Sequence, residues 1–391
     1  MARHFRKRGA RWYFWIALEP GADGLRRQRS VGGFRTRRKA EIAYSEMRNE
    51  IHQGLYVEPS RATLGSFLLS EWLPAIRSTV RPTTWEHYRR AVEGYAVPNL
   101  GARRLVDLTP AQLNALYAQL LREGRRNVSI STVNRGLSPK TVRHVHTMLH
   151  KALNDAVRWG HLARNPADRA DPPRPASPEM HVWSREQLRA FLKFVEPHRL
   201  YGAWLLFGTT GMRRGEVLGL RWREVDLKNK RLSIVRALVD VNRETVVSEP
   251  KTAKGRRTVA LDAVTAAELE RHRICQLEER LRIGDAWQDT GLVFTHEDGS
   301  FLSPRLVSSW FAHLSRDAGL PRIRLHDVRH SYATAALIAG NPTKVVSERL
   351  GHASIAITLG TYSHVLPNMQ EDAAEEVARI IFGSVGIGDR R

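Results

Sequence analysis

The sequence predicts an α+β chain, mostly helical, with a small sheet-plus-helix unit first, an all-helical unit next and a mixed α/β unit last. Three observations carry that prediction. An aromatic, β-favouring run from Trp12 to Leu18 is closed by the turn signals Pro20-Gly21 and Asp23-Gly24. From Thr63 to Gly160, apolar residues recur at helical spacing. Beyond a proline-rich stretch ending at Pro178, helix starts alternate with a strand-turn-strand pattern. A chain of 391 residues exceeds what one hydrophobic core usually organises, so two or three domains are expected, and 42% hydrophobic residues make them globular.

In the first unit, Arg26 to Val31 can pair back on Trp12–Leu18 as a second strand. Thr36 offers a cap for a helix whose apolar face is Ala40, Ala43, Met47 and Ile51, with Gly54 closing it. Arg26, Arg27, Arg29, Arg35, Arg37, Arg38 and Lys39 are too many cations for so small a unit to pair internally, which suggests a face for a polyanion. In the second unit, Leu64, Phe67, Leu68 and Trp72 form a stripe before Pro74, and Thr84 to Val92 reads as a helix offering Trp85, Tyr88 and Arg89 to a partner. Thr109-Pro110 and Ser138-Pro139 each combine a cap with proline at the first helical position. The helix after Ser138 carries Lys140, Arg143, His144 and Lys151 on its polar face, while the connection from Gly124 to Leu137 is longer than a tight helix turn needs. His146 and His150 have the spacing of two ligands on one helix, but no glutamate follows His146, so no metal site is expected. Asn165 to Pro178 reads as an extended linker, and Ser184 with Gln187 as a capping box opening the last unit.

The charge balance narrows the partner. Lys and Arg number 62 against 40 Asp and Glu, a net +22, and such an excess of like charge implies a polyanion, with nucleic acid the first candidate and an anionic membrane surface the second. No apolar stretch approaches the roughly 20 residues of a spanning helix. The basic start (Arg3, Arg6, Lys7, Arg8) runs into Trp-Tyr-Phe-Trp and charges, not into a signal-peptide core. The lone Cys275 excludes an internal disulfide and a cysteine-based zinc site. A soluble, cytoplasmic protein is expected, nucleoid-associated when bound to DNA.

The last unit holds the chemistry. Gly208 to Glu216 places Arg213 just after a glycine break at a helix start. Glu249-Pro250-Lys251-Thr252 leads into Gly255 to Leu261, with Lys251 near the turn. His326 and Arg329 in Leu325-His326-Asp327-Val328-Arg329-His330 sit three apart, on one side of a helix. Leu350-Gly351-His352 ends the helix begun at Asn341-Pro342, with Gly351 as a left-handed cap, and Tyr362 follows ten residues after His352. Singly, each has an ordinary reading: Arg213 pairing Glu216, a solvated Lys251, a capped surface helix, a packed Tyr362. Trp204, Leu206 and Phe207 read as core.

Jointly, these motifs resemble the tyrosine recombinases of the phage integrase family. The family's pattern is an arginine after Thr-Gly-x, a hairpin lysine, His-x-x-Arg, a Gly-His or Gly-Trp, and a tyrosine about ten residues on. The resemblance carries to Arg213, Lys251, His326, Arg329, His352 and Tyr362. It implies a catalytic domain over 181–391 with its C-terminal tail, a helical core-binding domain over 62–172, and a small arm-type DNA-binding domain over 1–58. It also implies a tetramer on double-stranded DNA with core and arm sites, room for accessory DNA-bending or directionality proteins, and a tail (Met369, Ala373, Val377, Ile380, Ile381) packing on its own domain or on a neighbour.

The residue types suit that chemistry. A tyrosine oxygen that attacks phosphorus forms a phosphoester and keeps the bond energy for resealing. Two arginines, Arg213 and Arg329, can neutralise charge growing on the non-bridging oxygens, and Lys251 can protonate the departing 5′ oxygen. His326 is assigned proton transfer at the tyrosine hydroxyl and His352 a phosphate hydrogen bond, with the two roles interchangeable at this level. Arg256-Arg257 and Arg322-Arg324 are expected to touch phosphates. No cofactor is implied, since the sequence has no Gly-rich Lys-Ser/Thr phosphate loop and no acidic cluster suited to magnesium. The alternatives are a type IB topoisomerase and a non-catalytic sequence-specific DNA-binding regulator.

Overall fold

The computed structural model describes residues 4–18, 27–53, 61–125, 135–176, 180–242, 244–248, 255–362, 375 and 377–381. The chain divides into two compact units, Met1–Ser177 and Pro178–Arg391.

The first unit contains two separate hydrophobic clusters. In the smaller, β1 (Phe5–Arg8), β2 (Arg11–Leu18) and β3 (Arg27–Phe34) form an antiparallel sheet in that order. Alternation along β2 puts Phe14 and Ile16 on one face, where they meet Ala40 of α1 (Arg37–His52), capped by Thr36. β1 adds a strand beyond the two expected, and Gly54 lies outside the described residues.

The larger cluster is helical. Segments Leu64–Ser66, Phe67–Trp72 and Leu73–Ile76 follow one another, the middle one a wide π-turn, so the chain stays helical through Pro74. Thr109 with Gln112 and Ser138 cap α2 (Pro110–Glu123) and α3 (Pro139–Arg158) as the sequence signals indicate. Buried Asp155 on α3 accepts the Trp72 indole N–H at 2.9 Å and pairs Arg158 at 2.8 Å. Two expectations change. Trp85 and Tyr88, on the helix Pro82–Ala91, pack onto this core instead of facing a partner, and Arg89 is held by Glu86 and Glu93. The linker begins later than Asn165, because Asn165 caps a 3-10 turn, Pro166–Arg169, whose Ala167 is buried. His146 shares a hydrogen bond with the Tyr117 hydroxyl at 2.8 Å and His150 pairs Asp168.

In the second unit, α4 (Arg185–Phe194) starts at the Ser184–Gln187 capping box and packs on α5 (Tyr201–Thr210), which is almost wholly buried and carries Trp204, Leu206 and Phe207 into the core. Gly211 ends α5 at φ +65°, and the short α6 (Arg214–Leu218) follows. β4 (Val225–Asp226), β5 (Arg231–Ile234) and β8 (Arg257–Ala260) form one antiparallel sheet, while β6 (Ala237–Val241) and β7 (Glu244–Ser248) form a separate hairpin. The strand-turn-strand reading is thereby corrected: the strands flanking Lys251 belong to different sheets, and Lys251 itself lies outside the described residues. The helices Ala263–Ile283 and Pro304–Asp317 precede α7 (Leu325–Ile338), α8 (Thr343–Leu350) and α9 (Ile355–Tyr362). No helix among the described residues is long and apolar enough to cross a membrane.

Gly211 has two reasons to be glycine: its left-handed backbone, and a Cβ that would lie 2.4 Å from Tyr332 Cδ1 and 2.8 Å from Leu350 Cδ2. Gly211→Ala should lower stability by about 1–2 kcal/mol from the backbone alone, read as a lower urea midpoint at unchanged slope. An unchanged midpoint would contradict this packing.

Candidate active site

The site is built on the end of α8. Carbonyls in the last turn of a helix have no amide partner and carry partial negative charge. Gly351, at φ +67°, turns the chain away and leaves those oxygens accessible. Three guanidinium groups from three other elements take three consecutive carbonyls. Arg257 Nε donates to Arg349 O at 2.6 Å, Arg329 Nη2 to Leu350 O at 2.7 Å, and Arg213 Nη2 to Gly351 O at 3.1 Å. Arg329 also donates through Nη1 to Gly211 O at 2.7 Å, the carbonyl that ends α5.

Glu216 joins the set from below. Its carboxylate accepts from Arg213 Nη1 at 2.7 Å, Arg257 Nη2 at 2.9 Å and the Arg213 backbone N–H at 3.0 Å. Burial alone would push this carboxyl up, but the hydrogen bonds and charge of Arg257, with Arg213 beside them, hold it below the usual range. Three cations around this one carboxylate leave a positive excess. Burial first, then the charge of Arg213, pushes Arg329 down to about 9. An anion at this place relieves that repulsion. Arg329 is 3% exposed and anchored, whereas the Arg213 side chain is 39% exposed and open to a ligand.

Tyr362 closes the site. It ends α9 with no exposed surface, packed with Ala333, Leu337, Val346 and Leu350. Burial pushes its hydroxyl up to about 12, against a downward pull from the Arg329 charge. Its hydrogen-bond partner is His330, whose Nδ1 lies 2.7 Å from the hydroxyl oxygen. His326, expected at this hydroxyl, is not its hydrogen-bond partner here. His326 sits one helical turn earlier, its ring edge-on to His330 at 5.3 Å, and keeps a solvent-exposed face. His352, next to Gly351, shares a hydrogen bond through Nδ1 with Thr358 Oγ1 at 2.8 Å, which orients its ring. Crowding first, with cationic and histidine neighbours adding to it, pushes His326 and His352 down to about 4.

The fold thus gathers Arg213, Arg329, His326, His352 and Tyr362 around the α8 terminus. Two further members escaped the sequence reading. His330 was readable as the i+4 neighbour of His326. Arg257, expected on phosphate, is instead nearly buried between Glu216 and the Arg349 carbonyl, and nothing local marks it apart from Arg256. Arg324 pairs Asp327 at 2.6 Å while its side chain stays 75% exposed.

Comparison with known proteins agrees with this arrangement. Residues 182–369 match the model of the phage integrase family, and residues 63–121 that of the phage integrase N-terminal SAM-like domain. A tyrosine recombinase XerC-like protein of Caldanaerobacter subterraneus is 31% identical over 386 residues, covering 93% of this chain and 95% of its own. An integrase of Saccharopolyspora erythraea is 24% identical, covering 95% of both chains. Among solved structures, the Tn1549 transposon integrase in complex with a circular intermediate DNA shares the fold, with a TM-score of 0.65 over 81% of this chain and 99% of that one at 19% identity. Fold and relatives define a DNA strand-cleaving and rejoining enzyme. The chain belongs to the phage integrase family of tyrosine recombinases, and its function is site-specific DNA recombination.

His326 and His352 should be neutral at pH 7 in the DNA-free protein. Their folded values of about 4 lie below the usual 6.5, so the unfolded chain binds more protons between those limits. Stability from these groups is therefore complete above about pH 6.5 and lost as pH falls toward 4. Imidazole 15N NMR should show both rings titrating well below 6.5; midpoints near 6.5 would refute the crowding argument.

Proposed function

We propose that this recombinase works through a 3′-phosphotyrosyl intermediate on Tyr362. The observation that supports it is the excess positive charge of Arg213, Arg257 and Arg329 at one helix terminus, beside a buried tyrosine hydroxyl. Arg213 and Arg329 hold the non-bridging oxygens of the scissile phosphate, and Glu216 fixes Arg213 for that task. His352 contributes a hydrogen bond to the phosphate, and His326 acts at the phosphate or in proton transfer. As the Tyr362 oxygen bonds to phosphorus, the bond to the 5′ oxygen breaks, and Lys251 supplies the proton that oxygen needs. A 5′ hydroxyl from the partner strand then reverses the chemistry, so the exchange needs no external energy source.

Residues 1–58 serve as an arm-type DNA-binding domain, 62–172 as a core-binding domain and 181–391 as the catalytic domain. The active species is a tetramer on two duplexes, in the cytoplasm and on nucleoid DNA, with accessory bending or directionality proteins as further partners. The lambda integrase, similar in fold with a TM-score of 0.55, is known as a tetramer bound to a Holliday junction. Exposed apolar residues on α9 (Ile355, Ile357, Leu359) and in the tail (Val377, Ile380, Ile381) suit contacts between subunits.

A nicked suicide substrate carrying the crossover site should trap a covalent adduct with the wild type and none with Tyr362→Phe, which should still bind DNA. Adduct surviving in Tyr362→Phe would end the nucleophile assignment. Arg213→Ala should slow cleavage about 100- to 1,000-fold. Strand exchange between two marked duplexes separates a recombinase from a type IB topoisomerase, and binding without adduct would support the regulator. Affinity should fall steeply between 50 and 200 mM salt, on the order of a thousandfold or more.

A further inference from the structure

Among the described residues the Tyr362 side chain is fully buried, and its hydroxyl shares a hydrogen bond with the imidazole of His330. Yet the hydroxyl proton must leave as the oxygen bonds to phosphorus. With the phenol pushed up to about 12, only about one molecule in 100,000 carries phenoxide at pH 7. Ionisation before attack is therefore a poor route, and proton removal during attack a better one. A general base must lie within hydrogen-bond reach of the proton it takes, and Nδ1 of His330 does, at 2.7 Å. Burial first, with Arg329 and Arg324 behind it, keeps His330 below the usual imidazole value, hence neutral and able to accept.

Resting on Tyr362 as the nucleophile, we propose that His330 is the general base that takes the hydroxyl proton during strand cleavage. The Tyr362 Oη–H bond breaks to His330 Nδ1 while Oη–P forms and P–O5′ breaks. The 5′ oxygen takes its proton from a separate acid, and His330 becomes imidazolium. In rejoining, the incoming 5′ hydroxyl loses its proton to that separate group, and His330 returns its own to the departing tyrosine oxygen. Charges facing the ring come from its own helix (His326, Arg324, Asp327, Arg329), from Tyr362 on α9, and from His352 at the α8 turn. Of these, Asp327 favours the imidazolium and gives the transient charge a counterion.

The test is single-turnover adduct formation on the suicide substrate by His330→Ala and His330→Asn. Asn places a hydrogen-bonding group near the Nδ1 position but cannot accept a proton at neutral pH. Both variants should cleave about 100- to 10,000-fold more slowly with DNA binding retained. Raising the pH from 7 to 9 should speed both variants about tenfold per unit, as hydroxide replaces the base, while added imidazole restores part of the rate in His330→Ala. A 5′-bridging phosphorothiolate, whose thiolate leaves without a proton, should rescue Lys251→Ala but neither His330 variant. Wild-type rates in either variant, restoration by Asn, or rescue by the phosphorothiolate would each overturn the proposal. If Tyr362→Phe still forms adduct, the nucleophile reading itself falls. If Tyr362→Phe is inactive and His330→Asn cleaves normally, only the role of His330 is lost.

Discussion

Three consecutive carbonyls at the end of one short helix receive three guanidinium groups, and most of the catalytic unit's architecture can be read from that contact. The carbonyls of Arg349, Leu350 and Gly351 have no helical amide partners, and they carry the negative end of the helix dipole. Each arginine uses part of its fork of donors for anchorage, and a guanidinium has five N–H groups. Arg329, bonded on both sides to Gly211 and Leu350, is held rigidly and sealed from water. Arg213, more open, keeps a face toward the place an anion would occupy. Lysine could not reproduce this, because a single ammonium lacks the planar fork that binds protein and phosphate together.

The same turn governs the tyrosine. Leu350 gives its carbonyl to Arg329 and its side chain to the small cluster that buries Tyr362. Tyr362 and Arg329 are therefore both referenced to Leu350, and a shift of α8 moves both. The electrostatic cost of gathering three cations is offset by the helix terminus and by Glu216, which is buried and bonded to two of them. The balance remains positive, so the site is under a repulsion that an anion would relieve.

Much of this was legible from residue order. Capping at Thr109, Ser138 and Ser184 depends on side chains within three residues of the helix start, so local sequence suffices. The break at Gly211 and the left-handed cap at Gly351 are local as well. What went astray depended on distant partners. Trp85 and Tyr88 looked available because nothing nearby covers them, yet the preceding helix does, with the Leu73 carbonyl accepting the Trp85 indole N–H. Arg257 looked like one of two neighbouring phosphate contacts until Glu216, 41 residues earlier, claimed it. The strands around Lys251 looked like one hairpin because strand pairing across different sheets leaves no local trace.

By itself, then, residue order determined the capped helix starts and the basic character, and it nominated Arg213, His326, Arg329, His352 and Tyr362, since propensity, capping and charge are properties of short segments. Tertiary structure alone decided which histidine touches the Tyr362 hydroxyl. His326 and His330 lie one turn apart on the same helix face, and no rule of spacing distinguishes them. The choice falls to His330 because α9 returns against α7 at that level, and only long-range packing sets the level.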